Sequence, residues 1–452
     1  VAGIADRNPQ QGTRKLPFPK GFLWGAATAA HQVEGDNVNN DWWAFEQRPG
    51  AIWHGDRSGP ACDWWCNAEA DFDRMAEMGH NTHRLSVEWS RIEPEEGTFD
   101  PAAIARYREM LTGLRRRGVE PMVTLFHFSS PSWLAHQGGW RNPAVVGYFR
   151  RFARHTVEQL GDLVKLWCTI NEPNVYAAVG YLLGEHAPGA KNPRHCFQVL
   201  SHHLQAHAAA YRVIKAMDGS AHVGLVMNII VFEPLDPGYR ASVRAAKLAD
   251  YAFHDLVFRA IGDGKLRFPL GLGLTRHGPL IDSVDFWGVN YYTRQRVSLQ
   301  RQFLQPTPGA EVSDSGHSGP YGEIYPEGLY RVLKRVAALR PQGVPIYITE
   351  NGLPDSDDDQ RPRYLLTHLA QMQRAIAEGV DVRGYYHWSF TDNFEWAEGW
   401  ALRFGLIALD EKTQVRTPRR SAQLYTDIIR ANAITPGMVA NYAPEVMSDI
   451  FP

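Results

Sequence analysis

Eight short, almost unbroken apolar runs recur along the chain: "FLWGAATAA" 22–30, "THRLSVEW" 82–89, "EPMVTLF" 120–126, "VKLWCTIN" 164–171, "HVGLVMN" 222–228, "VDFWGVNYY" 284–292, "PIYITE" 345–350 and "GYYHWSF" 384–390. Continuous rather than alternating hydrophobicity predicts strands covered on both faces. Between the runs lie stretches with helical spacing and helix punctuation. "DFDRMAEMG" 71–79 and "PAAIARYREMLTGLRRRG" 101–118 each stop at Gly, "NPAVVGYFRRFARHTVEQLG" 142–161 opens on Asn-Pro and closes on Gly, and "RYLLTHLAQMQRAIAEG" 363–379 repeats the form. A capping side chain, a fixed φ in the first turn and a residue free to adopt positive φ are the physical start and stop signals of helices. Strand and helix in eightfold alternation imply a parallel sheet closed on itself. The fold class is therefore α/β, a single-domain (β/α)8 TIM barrel spanning 1–452. Its core is expected at about 17–430, with a peripheral tail 1–16 and a peripheral extension 431–452. No Pro/Ser-rich linker divides the chain. Polar segments 300–325 and 354–362 read as long loops after the sixth and seventh strands, where a barrel builds its site.

Polar residues close the strands one after another: Gln32, Arg84, His127, Asn171 with Glu172, Asn228, Asn290 to Tyr292, Glu350 and Trp388. A barrel that only packed would have little use for so many polar groups on one rim. Two of them, Glu172 and Glu350, are carboxylates that closure brings to the same mouth. A facing carboxylate pair suits glycoside hydrolysis, in which one acid protonates the leaving oxygen and the other attacks the anomeric carbon or activates water. Other barrel hydrolases remain open on spacing alone.

Composition narrows the substrate. The chain has 452 residues, 44% hydrophobic and 21% charged, with a formal net charge of −2. It offers no basic field for nucleic acid or an anionic membrane surface. The 14 Trp supply flat faces of the kind on which sugar rings stack, though core packing also uses them. The Cys62/Cys66 pair has no matching second pair, which argues against a zinc or redox site. With no signal peptide and no apolar run near 18 residues, a cytoplasmic enzyme is expected.

The motifs "HQVEG", "VEWSRIEP", "TINEP", "ITENG", "HWSFTDNFEW" and "RFGL", in that order, resemble glycoside hydrolase family 1, the β-glucosidase/β-glycosidase family. The resemblance covers nearly the whole chain. It implies a retaining mechanism with no metal or organic cofactor, acting on small β-glycosides and short β-linked oligosaccharides. It makes Glu172 the acid/base and Glu350 the nucleophile, with Arg84 and Tyr292 holding Glu350 and Asn171 meeting the sugar 2-OH. It also assigns Gln32, His127, Phe128, Asn290, Trp388, Glu395, Trp396 and Phe404 to sugar binding. A cis peptide is implied at Trp388–Ser389. Pro173 is expected to hold Glu172 extended, and Asn351–Gly352 to turn the chain sharply. Trp133, Trp140 and Asn228 are expected on the aglycone side.

Three positions bear on the subclass. Phospho-sugar relatives carry Ser, Lys and Tyr where this chain has Glu395, Leu402 and Phe404, so phospho-sugars are not expected. Relatives usually have Trp where Phe128 stands, which removes an indole donor. His203 and His207 have metal-chelating spacing, but Leu200, Leu204, Tyr211 and Ile214 share their stripe and point to a packed helix face. The reading is a retaining exo-β-glycosidase releasing terminal β-D-glucose and also accepting β-galactosides or β-fucosides. A transglycosylase on the same site and a non-catalytic sugar-binding module are the alternatives.

Overall fold

A computed structural model describes residues 14–274, 277–300, 303–313, 322–339 and 343–452. All eight apolar runs form strands: β1 (Leu23–Ala27), β2 (Thr82–Ser86), β3 (Glu120–Phe126), β4 (Leu166–Asn171), β5 (His222–Asn228), β6 (Phe286–Asn290), β7 (Ile346–Asn351) and β8 (Val382–Trp388). Each pairs in parallel with its sequence neighbours, and β8 pairs with β1 to close the barrel. Nearly every strand residue is buried, because side chains facing in fill the barrel and those facing out meet helices.

The surrounding helices are α1 (Trp64–Glu77), α2 (Pro101–Arg116), α3 (Val145–Leu160), α4 (Pro193–Met217), α5 (Leu256–Asp263), α6 (Pro326–Leu339), α7 (Arg361–Ala377) and α8 (Arg420–Ala431). Their starts follow cap chemistry. Asp100 accepts a hydrogen bond from the Ala102 N–H at 2.8 Å ahead of α2, and Asn192 caps α4 in the same way at Arg194. Two boundaries differ from the sequence pattern. α1 begins at Trp64 rather than 71, since the buried Trp64 indole donates to Asp71 and ties the extra turns to the helix. α3 begins at Val145, after Asn142 has accepted from the Ala144 N–H in a turn.

Short strands Val231–Pro234, Arg294–Val297 and Leu304–Gln305 make a small sheet from the segments that follow β5 and β6. The expected loop 300–325 is thus partly sheet, and its residues 301–302 and 314–321 lie outside the described residues, as does most of the tail 1–16. At the other end, Leu16–Pro17 pairs with Ala433–Ile434, and Val439, Val446 and Ile450 are buried. Among the described residues no helix is long and apolar enough to cross a membrane.

Candidate active site

Register places the key groups side by side at the C-terminal end of the barrel. Glu350 on β7 lies opposite Asn290 on β6, and Asn290 lies opposite Asn228 on β5. Beneath them is Arg84 of β2, fully buried. It donates to Glu350 Oε1 at 2.5 Å, to Asn171 Oδ1 at 2.7 Å and to Thr124 Oγ1 at 3.2 Å. The Tyr292 hydroxyl donates to the other Glu350 oxygen at 2.7 Å. Glu172 is held differently. Its Oε1 accepts from Asn290 Nδ2 at 2.8 Å and from Asn228 Nδ2 at 2.9 Å, and among the described residues no cation pairs with it.

Electrostatics follow these contacts. Burial and then the charge of Glu350 raise the Glu172 carboxyl to about 8. Burial also raises Glu350, and Arg84 and the Tyr292 hydroxyl offset part of that rise. With Arg84 bonded directly to Glu350 and, among the described residues, no cation on Glu172, the arrangement favours an ionised Glu350 beside a protonated Glu172.

A polar and aromatic wall completes the pocket. Gln32 Nε2 donates to Asn393 Oδ1 at 2.9 Å and to Glu395 Oε2 at 3.1 Å. His127 Nε2 lies 3.1 Å from Asn171 Nδ2. Asn171 Oδ1 is already accepting from Arg84 and Asn290, so its Nδ2 is the donor. His127 Nε2 must then accept, and the proton belongs on Nδ1 by this network. That Nδ1 and the Gln32 Oε1 are both buried without a partner among the described residues, one a donor and one an acceptor. Such a pair matches what a hydroxyl offers. The Trp388 ring stacks at 28° to His127, and Trp396 lies 6.0 Å from His127 on another side. Glu395, half-buried, is lifted to about 8 by burial and by Glu350. The Trp388–Ser389 peptide is cis, as the motif implied.

Glycosyl hydrolase family 1 is matched by residues 14–434. The chain belongs to that family. Similar proteins include β-glucosidase A of Thermotoga maritima, 34% identical over 92% of this chain and 98% of that one. A β-galactosidase of Pyrococcus woesei is 32% identical over the same shares. Among solved structures, the Thermotoga maritima family 1 β-glucosidase superposes with a TM-score of 0.86 at 32% identity, covering 93% of this chain and all of that one. A β-glycosidase from Pyrococcus horikoshii gives 0.85 at 38%, over 95% and 98%. The Thermotoga enzyme has been solved with deoxynojirimycin and with a galacto-hydroximolactam.

Against the family 1 expectations, several placements change. Glu172 is not extended. It adopts φ 43°, ψ 61°, in the left-handed region, as the residue before the short helix Pro173–Ala177. Pro173 does keep Glu172 out of the right-handed helical region, but the Glu172 N–H bonded to the Val226 carbonyl and the immediate helix start select the left-handed alternative. Gly352 serves close approach rather than a turn: Asn351 is still in β7, and a Cβ on Gly352 would collide with the Trp388 carbonyl oxygen. Trp140 is not on the aglycone side. Positive φ at Gly138 and Gly139 turns the chain inward, and the fully buried Trp140 packs 4.0 Å from His203 and against Phe126. Trp133 donates to the Glu93 carbonyl and packs on Trp89 and Tyr148. Asn228 touches Glu172 itself. Phe404 is buried behind Tyr292, 6.1 Å away, and supports that ring. His203 and His207 are buried in the α4 face. Two residues in the pocket wall had no sequence signal: Trp42, fully buried 4.7 Å from Trp396, and His186, beside Trp42 and Phe128.

Proposed function

We propose that this retaining β-glycosidase removes terminal β-D-glucosyl residues, and β-D-galactosyl residues as well, from aryl glycosides and short β-linked oligosaccharides. The unequal pairing of its two carboxyls carries the reading. Ionised Glu350 attacks the anomeric carbon while Glu172 gives its proton to the departing glycosidic oxygen, so the leaving group departs neutral and the sugar is esterified to Glu350. That ester has no charge, and the main electrostatic obstacle to ionising Glu172 is gone. Glu172 then takes a proton from water as the water oxygen bonds to the anomeric carbon and Glu350 leaves. Asn171, fixed by Arg84 and Asn290, is positioned to meet the 2-OH.

The free His127 Nδ1–H and Gln32 Oε1 supply a donor and an acceptor to one hydroxyl, and Glu395 serves the far end. One carboxyl group can accept from either epimer at C4, which supports both gluco and galacto substrates. Where phospho-sugar relatives are expected to carry a cation, Leu402 and Phe404 are buried apolar residues that offer a phosphate none. The chain is read as one catalytic domain.

The deciding experiment is hydrolysis of aryl β-glycosides followed by NMR at early times. The first-formed sugar should be the β-anomer, and Glu350→Gln should abolish turnover. An α-anomer product would sink the retaining assignment, and binding without turnover would return the sugar-binding module.

A further inference from the structure

His186 lies in the loop between the short helix after β4 and the start of α4, outside the motifs of the chain. Its ring is 5.1 Å from Trp42, 6.1 Å from Phe128 and 6.5 Å from Trp396. Phe128 and Trp396 are themselves 5.2 Å apart and both adjoin His127, the residue with the unpartnered Nδ1–H. His186 is therefore part of the same wall. Its exposure separates it from packed histidines such as His80 and His203, whose ring nitrogens also lack partners among the described residues. It is half-buried rather than enclosed. Among the described residues its ring makes no hydrogen bond, so on a half-buried ring both nitrogens are open to a ligand. And the apolar rings around it keep it neutral, lowered to about 4, so at neutral pH it presents one N–H donor and one acceptor nitrogen.

Phe128 gives this position its meaning. It is held at φ 73°, a left-handed conformation rare for a bulky residue. The ring is buried against Trp396, Tyr176 and His186 and can offer a sugar only an apolar face. We propose that His186 is a glycone-specificity residue, hydrogen-bonding the sugar hydroxyl presented to the Phe128–Trp396 wall, a contact that Phe128 itself cannot make. The assignment rests on the β-glycosidase reading above.

The test uses an aryl β-glucoside and its 3-, 4- and 6-deoxy analogues with the wild type, His186→Phe, His186→Asn and the double variant His186→Ala/Phe128→Trp. His186→Phe should lower kcat/KM on the parent glucoside about tenfold, the size of one lost neutral hydrogen bond. The loss should vanish for one deoxy analogue, the one lacking the partner hydroxyl. His186→Asn, which keeps a donor, should recover part of the rate. The double variant, with an indole N–H in the space vacated by the imidazole, should also recover it. A loss of equal size on all four sugars, or no loss, overturns the assignment. If His186→Phe fails to fold, His186→Ala reads the same ratios. Wild-type turnover separates the two levels of the argument: an active wild type with uniform losses removes only the His186 role, and an inactive one removes the glycosidase reading with it.

Discussion

Glu350 and Glu172 close two strands of one barrel and carry the same functional group, yet the regions that hold them differ in kind. The β7 end is a charged cradle: a fully buried guanidinium on one oxygen and a phenol on the other. The β4 end is a neutral one: two amides from β5 and β6 on a single oxygen, and a backbone turned left-handed so that the carboxyl leaves the strand at once. A formal positive charge stabilises a carboxylate far more than an amide dipole does. The difference therefore assigns the nucleophile and the acid without reference to any substrate.

The largest effect should come from emptying the charged cradle. Glu350→Gln leaves shape and hydrogen bonding nearly intact but removes the attacking charge, and kcat on an aryl β-glucoside should fall by roughly 10⁴-fold or more. Residual activity within tenfold of wild type would show that Glu350 is not the nucleophile. Next comes the neutral cradle. Glu172→Gln should cost about 10²–10⁴-fold on alkyl glucosides, whose leaving groups need a proton. The loss in the first step should shrink for a dinitrophenyl glucoside, whose phenolate departs unaided. Equal losses on both leaving groups would contradict an acid role.

These assignments were legible in sequence to different depths. Unbroken apolar runs with polar ends revealed the eight strands and the rim, because burial on both faces leaves little freedom in composition. The left-handed turn at Glu172 was hidden, since Pro173 excludes one backbone region and the tertiary bond to Val226 chooses among the rest. Trp133 and Trp140 looked alike as letters, and only the turn at Gly138–Gly139 sends Trp140 into the core. The small sheet beside β5 and β6 is built from strands of two to four residues, too short for any periodicity to register. His186 belongs to a ring cluster drawn from four separate segments, and no local pattern marks it.

Smaller changes sharpen the comparison by pH. Tyr292→Phe removes one of the two donors to Glu350 and should lower kcat/KM about tenfold. The lost hydrogen bond favoured the charged form, so the nucleophile becomes easier to protonate and the acidic limb of the kcat/KM profile moves to higher pH. A limb that stays in place would mean Tyr292 orients Glu350 without tuning it.

The finest test lies on the other side. In the free enzyme kcat/KM should decline above about pH 8, where Glu172 loses the proton it must donate. Asn228 donates to Glu172 and so stabilises its carboxylate, working against burial and the charge of Glu350. Asn228→Ala should therefore raise the Glu172 pKa further and carry the basic limb upward, by about half a unit for a half-exposed neutral hydrogen bond that water partly replaces. The acidic limb, set by Glu350, should not follow. A downward shift of the basic limb would mean that Asn228 holds the protonated acid instead, as an acceptor through its carbonyl, and a joint shift of both limbs would mean that the two cradles titrate as one unit.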